Sequence, residues 1–360
     1  MLMVLVTWSC LHILVSSEHS TEPQFTNLGW RWAEENASIP SSHDHEVIEE
    51  LTTISLNENT SCAEQIEKIL NSLPFLDDDL NYETVYANGT RTLTLVRQFS
   101  PPWSGEMRAG NTELKGAQRE SRSIRRKLRR AQRKHLMKLS ANSIIGTDDR
   151  TTIGPFRAQM VPYSSTARVS CGRFCPWGCT GVLVGPKHVL TAAHCVANEK
   201  PHNLKVGFLQ RNGMMNWYSV SRFAMSHKWR KNDIASDYAL IVLNSSPGLP
   251  AVAMSAVPLS TSTQLSFTAF DNNLTMRMSR CKPLPYSSRD VMVTTCDATK
   301  GNSGAGVLAK GAKHGKVLVG MLSASRLQVS LSGQRRVYNV ATKLDRKKVK
   351  QIKQWLSKFS

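Results

Sequence analysis

The sequence predicts a mostly β protein closed by one helix, and three observations carry that reading. From about residue 141 onward, short apolar runs alternate with turn signals, the pattern of an antiparallel barrel rather than of helix bundles. Within that region Gly178–Val196 reads as a hairpin: Thr180, Val182 and Val184 alternate along one strand, Gly185-Pro186 turns the chain, and Val189-Leu190 leads back. Near the end, Val349, Ile352, Leu356 and Phe359 fall on one face of a helix predicted over Lys343–Phe359, with Lys347, Lys350, Lys353 and Lys358 on the other. That apolar face is expected to pack on the second half of the β region.

The 360 residues have room for more than one unit. Met1–Val15 is apolar and leads into Ser16-Ser17, which reads as a signal peptide over 1–17 and therefore as secretion. The run is short for a membrane span, and no span is expected elsewhere. Residues 18–118 form an acidic N-terminal region of mixed structure: positions 18–100 alone hold 15 acidic and 4 basic side chains, in a chain of net charge +19. Spacing there predicts short helices over Glu46–Ile54 and Cys62–Leu73, and a hairpin over Tyr82–Val96 about Asn88-Gly89.

Residues 119–140 invert the charge, with nine Lys/Arg against one Glu between Arg119 and Lys134. Arg122/Arg125, Arg126/Arg129 and Arg130/Arg133 are spaced for furin-like processing, and a solvated linker that binds polyanions is the alternative. A cut here would separate the acidic region from the basic domain at 141–360, as a pro-region docked by charge would require.

Eight cysteines fit an oxidising compartment. Cys10 leaves with the signal. Cys179 and Cys195 bracket the hairpin, Cys281 pairs with Cys296, and Cys171 and Cys175 either pair with each other or one of them reaches Cys62. Asn36, Asn59, Asn88, Asn244 and Asn273 occupy Asn-x-Ser/Thr glycosylation signals.

The chemistry gathers at three positions. His194 follows the second hairpin strand in Thr191-Ala192-Ala193-His194-Cys195. Asp237 stands at the lip of the strand Ala239–Leu243, and Ser303 lies in Gly301-Asn302-Ser303-Gly304. An aspartate that accepts from one imidazole nitrogen fixes the tautomer, so that the other nitrogen can take a proton from a serine. Glycines beside that serine let the Gly301 and Ser303 N–H groups converge on an oxyanion. Such a mechanism needs no cofactor and no metal.

In their order, these stretches resemble the trypsin-like (chymotrypsin-fold) serine peptidases. Within that family the chain is similar to the group of secreted serine proteases 23 and 35, through Lys187–Cys195, Lys205–Leu209, Cys296–Ala298, Ser303–Val307 and Tyr338–Ala341. Ile145–Thr151 is similar to the start of bacterial glutamyl endopeptidases. The resemblance implies two six-stranded antiparallel β-barrels with a cleft between them, the triad His194, Asp237 and Ser303, and a substrate-pairing strand around Ser323. One relative in the group has lost the serine, which this chain retains.

Two departures stand out. Where trypsin-like zymogens carry an aspartate that pairs with a newly cut N-terminus, this chain has the neutral Asn302. Asp297 occupies the offset of the trypsin specificity aspartate, yet its surroundings also match acid-specific relatives, so Asp297 and Ser323 mark a specificity pocket without fixing the preference. The expected function is a secreted, monomeric serine endopeptidase acting on protein substrates. The alternative is a weakly active or inactive protease-fold protein that binds sulfated glycans or other extracellular polyanions through its basic surface. Nucleic acid is not expected, because no base-reading motif is present.

Overall fold

A computed structural model describes residues 47–56, 80–99, 136–140, 143–171, 177–231, 233–285, 287–311, 315–329 and 335–360. The signal-like segment, Cys62–Leu73, the Arg119–Lys134 segment, Asn36, Asn59, Cys62 and Cys175 lie outside these residues.

The strands in chain order are β1 (Val47–Leu56), β2 (Tyr82–Tyr86), β3 (Arg91–Phe99), β4 (Leu136–Ser140), β5 (Thr151–Thr152), β6 (Thr166–Ser170), β7 (Cys179–Gly185), β8 (His188–Thr191), β9 (Lys205–Leu209), β10 (Met215–Ser226) and β11 (Ala239–Leu243). The later set is β12 (Leu265–Phe270), β13 (Met276–Cys281), β14 (Val291–Thr294), β15 (Gly306–Lys310), β16 (Lys316–Val329) and β17 (Arg335–Lys343). A short helix α1 spans Pro155–Ala158, and α2 spans Arg346–Lys358.

The first sheet has nine strands in the order β1-β3-β2-β10-β11-β8-β7-β6-β9, and β9 pairs again with β10, which closes the last six into a barrel. The second sheet runs β14-β17-β16-β15-β12-β13-β5, with β4 on β16. A bridge from Pro283 to Thr294 draws the β13 and β14 ends together.

The hairpin strands bury residues on both faces, because each face meets a different core. Leu183, Val189 and Ile241 enter the cluster inside the barrel. Their neighbours Val182, Val184, Leu190, Leu240 and Val242 point the other way, as a period of two demands. They join a second cluster with Trp355 and Ile352 of α2. The C-terminal helix therefore covers mainly the outer face of the first barrel, not the second; Leu308, Leu318 and Met321 supply the second sheet's share. The reason is that β7, β8, β10 and β11 present an apolar outer face that needs a cover.

The Tyr82–Val96 hairpin is present, and it is built into the first sheet. β2 pairs with β10 from Arg222↔Tyr86 to Ser226↔Tyr82, and Leu80, Tyr82 and Val96 are buried in the cluster that holds Trp355. The Trp355 ring lies 5.2 Å from that of Tyr82 and 5.8 Å from that of Tyr238. The helix expected over Glu46–Ile54 is instead strand β1, paired with β3 from Val47↔Phe99 to Leu56↔Arg91. Three β-branched residues in succession, Thr52-Thr53-Ile54, and a waiting edge on β3 outweigh the helical spacing.

Asn88, Asn244 and Asn273 all sit at exposed positions. Disulfides join Cys179 to Cys195 and Cys281 to Cys296, and Cys171 is also disulfide-bonded.

Candidate active site

The site forms where the two sheets meet. β8 ends at Thr191, and a 3-10 turn over Ala193–Cys195 carries His194. The Cys179–Cys195 disulfide pins this turn to the start of β7, and its sulfurs and a ring nitrogen of His194 lie within 4.8 Å of one another. Asp237 follows a 3-10 turn over Ile234–Ser236 that is capped by Asp233, whose carboxylate accepts from Ala235 N and Ser236 Oγ at 3.2 and 2.9 Å. Thr342 of β17 donates to the carbonyls of Ile234 and Asp237 and so fixes the turn from the second sheet.

The Asp237 carboxylate is fully buried and accepts three hydrogen bonds. The backbone N–H of His194 reaches Oδ1 at 3.0 Å, His194 Nδ1 lies 2.8 Å from Oδ2, and Ser323 Oγ donates to Oδ2. Burial by itself would raise the Asp237 pKa, but the facing imidazole and these donors outweigh it and hold the carboxyl below its ordinary value. For His194 burial pulls the other way, and the charge and hydrogen bond of Asp237 prevail, so its pKa is raised. The imidazole side chain keeps 32% exposure, which leaves it open to the cleft.

Ser303 precedes β15. Its Oγ donates to the Ser323 carbonyl at 3.2 Å, so Ser323 touches both the serine and the aspartate. Across the sheets, Thr180 N donates to the Ser303 carbonyl and Thr180 Oγ1 to that of Gly301, each at 2.8 Å. β7 thus clips the serine loop to the histidine turn. Gly301 has φ +97°, and a Cβ there would stand 2.8 Å from the Phe270 carbonyl. At Gly304 (φ +80°) a Cβ would meet Thr191 Oγ1 at 2.2 Å. Both positions require glycine.

The structure brings His194, Asp237, Ser303, Gly301 and Ser323 together, and the two expected pocket residues, Asp297 and Ser323, are both buried. Ser323 is 3% exposed, and the β16–β17 register shifts between Leu322 and Ala324. At that bulge the Ser323 hydroxyl donates to Asp237. Asp297 is 2% exposed, and its two oxygens accept the backbone N–H of Ile145 at 2.7 Å and of Asp149 at 3.1 Å. It anchors the 145–149 segment from a buried position, with one main-chain donor on each carboxylate oxygen.

Sequence reasoning missed the polar group beneath the serine loop: Arg150, Asp271 and Thr299. It also missed Arg168, buried under Gly301 and hydrogen-bonded to the Asp271 and Trp177 carbonyls. Trp229, 6.0 Å from the His194 ring centroid to centroid, was missed as well, and Lys300, which the sequence places near the serine, lies 4.1 Å from the Trp177 ring centroid. No local pattern marks these residues, since their partners lie far along the chain.

A closed six-stranded barrel joined to a second β sheet, with an acid, an imidazole and a serine at the junction, defines a chymotrypsin-type architecture. The sequence profile described as Trypsin matches residues 150–355, and the chain belongs to the trypsin family of serine proteases. Human serine protease 23 is 29% identical over 345 residues, covering 84% of this chain and 82% of the relative. Mouse inactive serine protease 35 is 25% identical over 354 residues, covering 79% and 80%. A solved structure of Glu endopeptidase in complex with MPD aligns at 20% identity with a TM-score of 0.48, over 59% of this chain and 99% of that one.

Proposed function

We propose that the protein is a secreted serine endopeptidase that works through an acyl-enzyme. Ser303 Oγ attacks the scissile carbonyl and passes its proton to His194. Asp237 orients the imidazole and stabilises its charged form, and the Gly301 and Ser303 amides receive the oxyanion. His194 then returns the proton to the leaving amine, and water repeats the cycle on the ester. The observation that carries this reading is the continuous contact chain from His194 through Asp237 and Ser323 to Ser303. Thr342 of β17 holds the Asp237 turn from the second sheet, and Thr180 of β7 holds the serine loop from the first. Secretion is supported by the disulfides and by the apolar start of the chain. Among the described residues no helix is long and apolar enough to cross a membrane.

The test is to incubate the purified protein with a diverse peptide library and read new termini by mass spectrometry. Cleavage that disappears in Ser303→Ala supports the reading. Equal termini from both proteins, or none from a folded wild type, contradict it. A second reading, polyanion binding without turnover, draws on relatives named inactive and on the chain's net charge of +19. It predicts heparin retention that survives Ser303→Ala together with no Ser303-dependent termini.

A further inference from the structure

Beneath the serine loop lies a buried ion pair that the proposed chemistry does not use directly. The Arg150 side chain is 4% exposed, and its Nη1 donates to Asp271 Oδ1 at 2.7 Å, and to Thr299 Oγ1 and Asn302 Oδ1 at 3.2 Å each. Its Nε and Nη2 engage Asp148 at 2.9 and 3.0 Å. Burial favours a neutral Arg150, but the two aspartates more than offset this and keep it cationic.

Asn302 is read on both ends. Its Nδ2 donates to the Phe270 carbonyl and to Asp271 Oδ1, both at 3.0 Å, and its Oδ1 accepts from Thr299 N at 2.8 Å. Thr299 Oγ1 closes the ring on Asp271 at 2.8 Å. An aspartate at 302 has no proton for the Phe270 carbonyl and would set a second carboxylate against Asp271. The neutral amide is therefore the fitting group, because Asp271 already supplies the carboxylate.

We propose that Arg150, acting through Asp271 and Asn302, is a positioning residue that holds Thr299–Ser303 in its oxyanion-binding shape from within the chain. A cation carried by a side chain is present in the uncut polypeptide, so the loop needs no new N-terminal ammonium to take this shape. Arg150 sits immediately before β5, which pairs with β13 through Arg277↔Thr152. That ladder, and the Asp297 carboxylate on Ile145 and Asp149, deliver the guanidinium to the loop. The inference rests on the serine-peptidase reading for its consequence in rate, while the positioning itself is measurable without turnover.

The test uses the full-length protein and compares wild type, Arg150→Met, Asn302→Asp and the double variant Asp271→Asn/Asn302→Asp. Amide hydrogen exchange over 298–304 reads the loop directly. Arg150→Met should accelerate exchange there about tenfold or more, with Ala239–Leu243 changed less than about twofold. Unchanged loop exchange, or an equal rise in both segments, overturns the proposal, since the second result describes a general fold contact.

The kinetic arm follows acylation by an activated ester. Arg150→Met should lower kcat by about 10²–10³, as loss of an oxyanion donor does, with KM within about threefold. Asn302→Asp should also be slow, and the double variant, with one carboxylate again facing Arg150, should recover at least about tenfold of that loss. A double variant no faster than Asn302→Asp overturns the proposal. If wild type itself fails to acylate, the peptidase reading fails, and the exchange comparison still decides the role of Arg150.

Discussion

At the scale of single residues, the pair His194–Asp237 sets the pH behaviour. A base must be neutral to accept a proton, and Asp237 raises the His194 pKa above the 6.5 of an unperturbed imidazole. The acid limb of the rate profile should therefore fall above about pH 6.5. Asp237→Asn should move that limb downward and lower kcat by about 10⁴, because it removes both the charge and the tautomer control. A limb unmoved by Asp237→Asn would contradict the assignment. The pair also carries a stability term with two edges. The raised His194 contribution is present at low pH and is lost as pH rises through its folded pKa. The lowered Asp237 contribution is present above the ordinary aspartate value and is lost as pH falls through its folded pKa. The three candidate residues stood out in the sequence through their combination and order, His194, Asp237 and then Ser303, more than through any one local motif. Asp297 was legible only as an offset from the serine, and Ser323 only through the resemblance of its strand to a substrate-pairing one. Which way each side chain turns depended on a bulge and on donors about 150 residues away, at Ile145 and Asp149.

At the scale of elements, α2 shows how burial, more than spacing, decides what a helix does. The apolar spacing places it over Lys343–Phe359, and the observed helix begins three residues later, because β17 runs to Lys343 and Asp345 caps the start by accepting from Lys348 N at 2.8 Å. Its basic face is also partly spent within the fold. Lys358 Nζ lies 3.0 Å from the Tyr82 hydroxyl, while Lys348, off that face and buried, pairs with Asp345 at 2.8 Å. The residue that the apolar stripe omits, Trp355, is fully buried between Tyr82 and Tyr238. Tyr238 directly follows Asp237, and its hydroxyl donates to Gln351 of the same helix. Trp355→Ala should cost about 3–5 kcal/mol in denaturant unfolding, the usual range for an aromatic removed from a packed core. A loss below about 1 kcal/mol would mean that the helix is not an integral cover of the first barrel.

For the whole molecule, the sequence reading divides an acidic region from a basic domain and expects charge to join them. The fold joins them by other means. β2 completes the β10 edge, Gln351 Nε2 donates to the Leu80 carbonyl, and Leu80, Tyr82, Val85, Leu93, Leu95 and Val96 are all at most 1% exposed. A polar contact adds to this where the Glu83 carboxylate lies 3.1 Å from His227 Nδ1. Each such apolar side chain contributes about 1.5–3 kcal/mol on burial, and this attraction is not screened by salt. We therefore propose that a cut anywhere within Arg119–Lys134 leaves the 80–99 hairpin in place as a second chain. On size exclusion the two pieces should co-elute in both low and 1 M salt (about 3 Å screening length). Separation at either salt would restore a removable pro-region. The hairpin itself was legible, from Asn88-Gly89 and its flanking alternation. Its place in the first sheet was not, because strand partners distant in sequence leave no local mark.

The proposed chemistry requires Ser303 to be a working nucleophile in the intact chain. The most direct measurement is labelling of uncut, full-length protein by a fluorophosphonate, with the modified residue located by mass spectrometry and Ser303→Ala as control. The prediction is stoichiometric modification at Ser303 that is lost in the alanine variant and needs no prior cleavage. A folded wild-type protein that stays unlabelled, or that is labelled only after a cut, would contradict it.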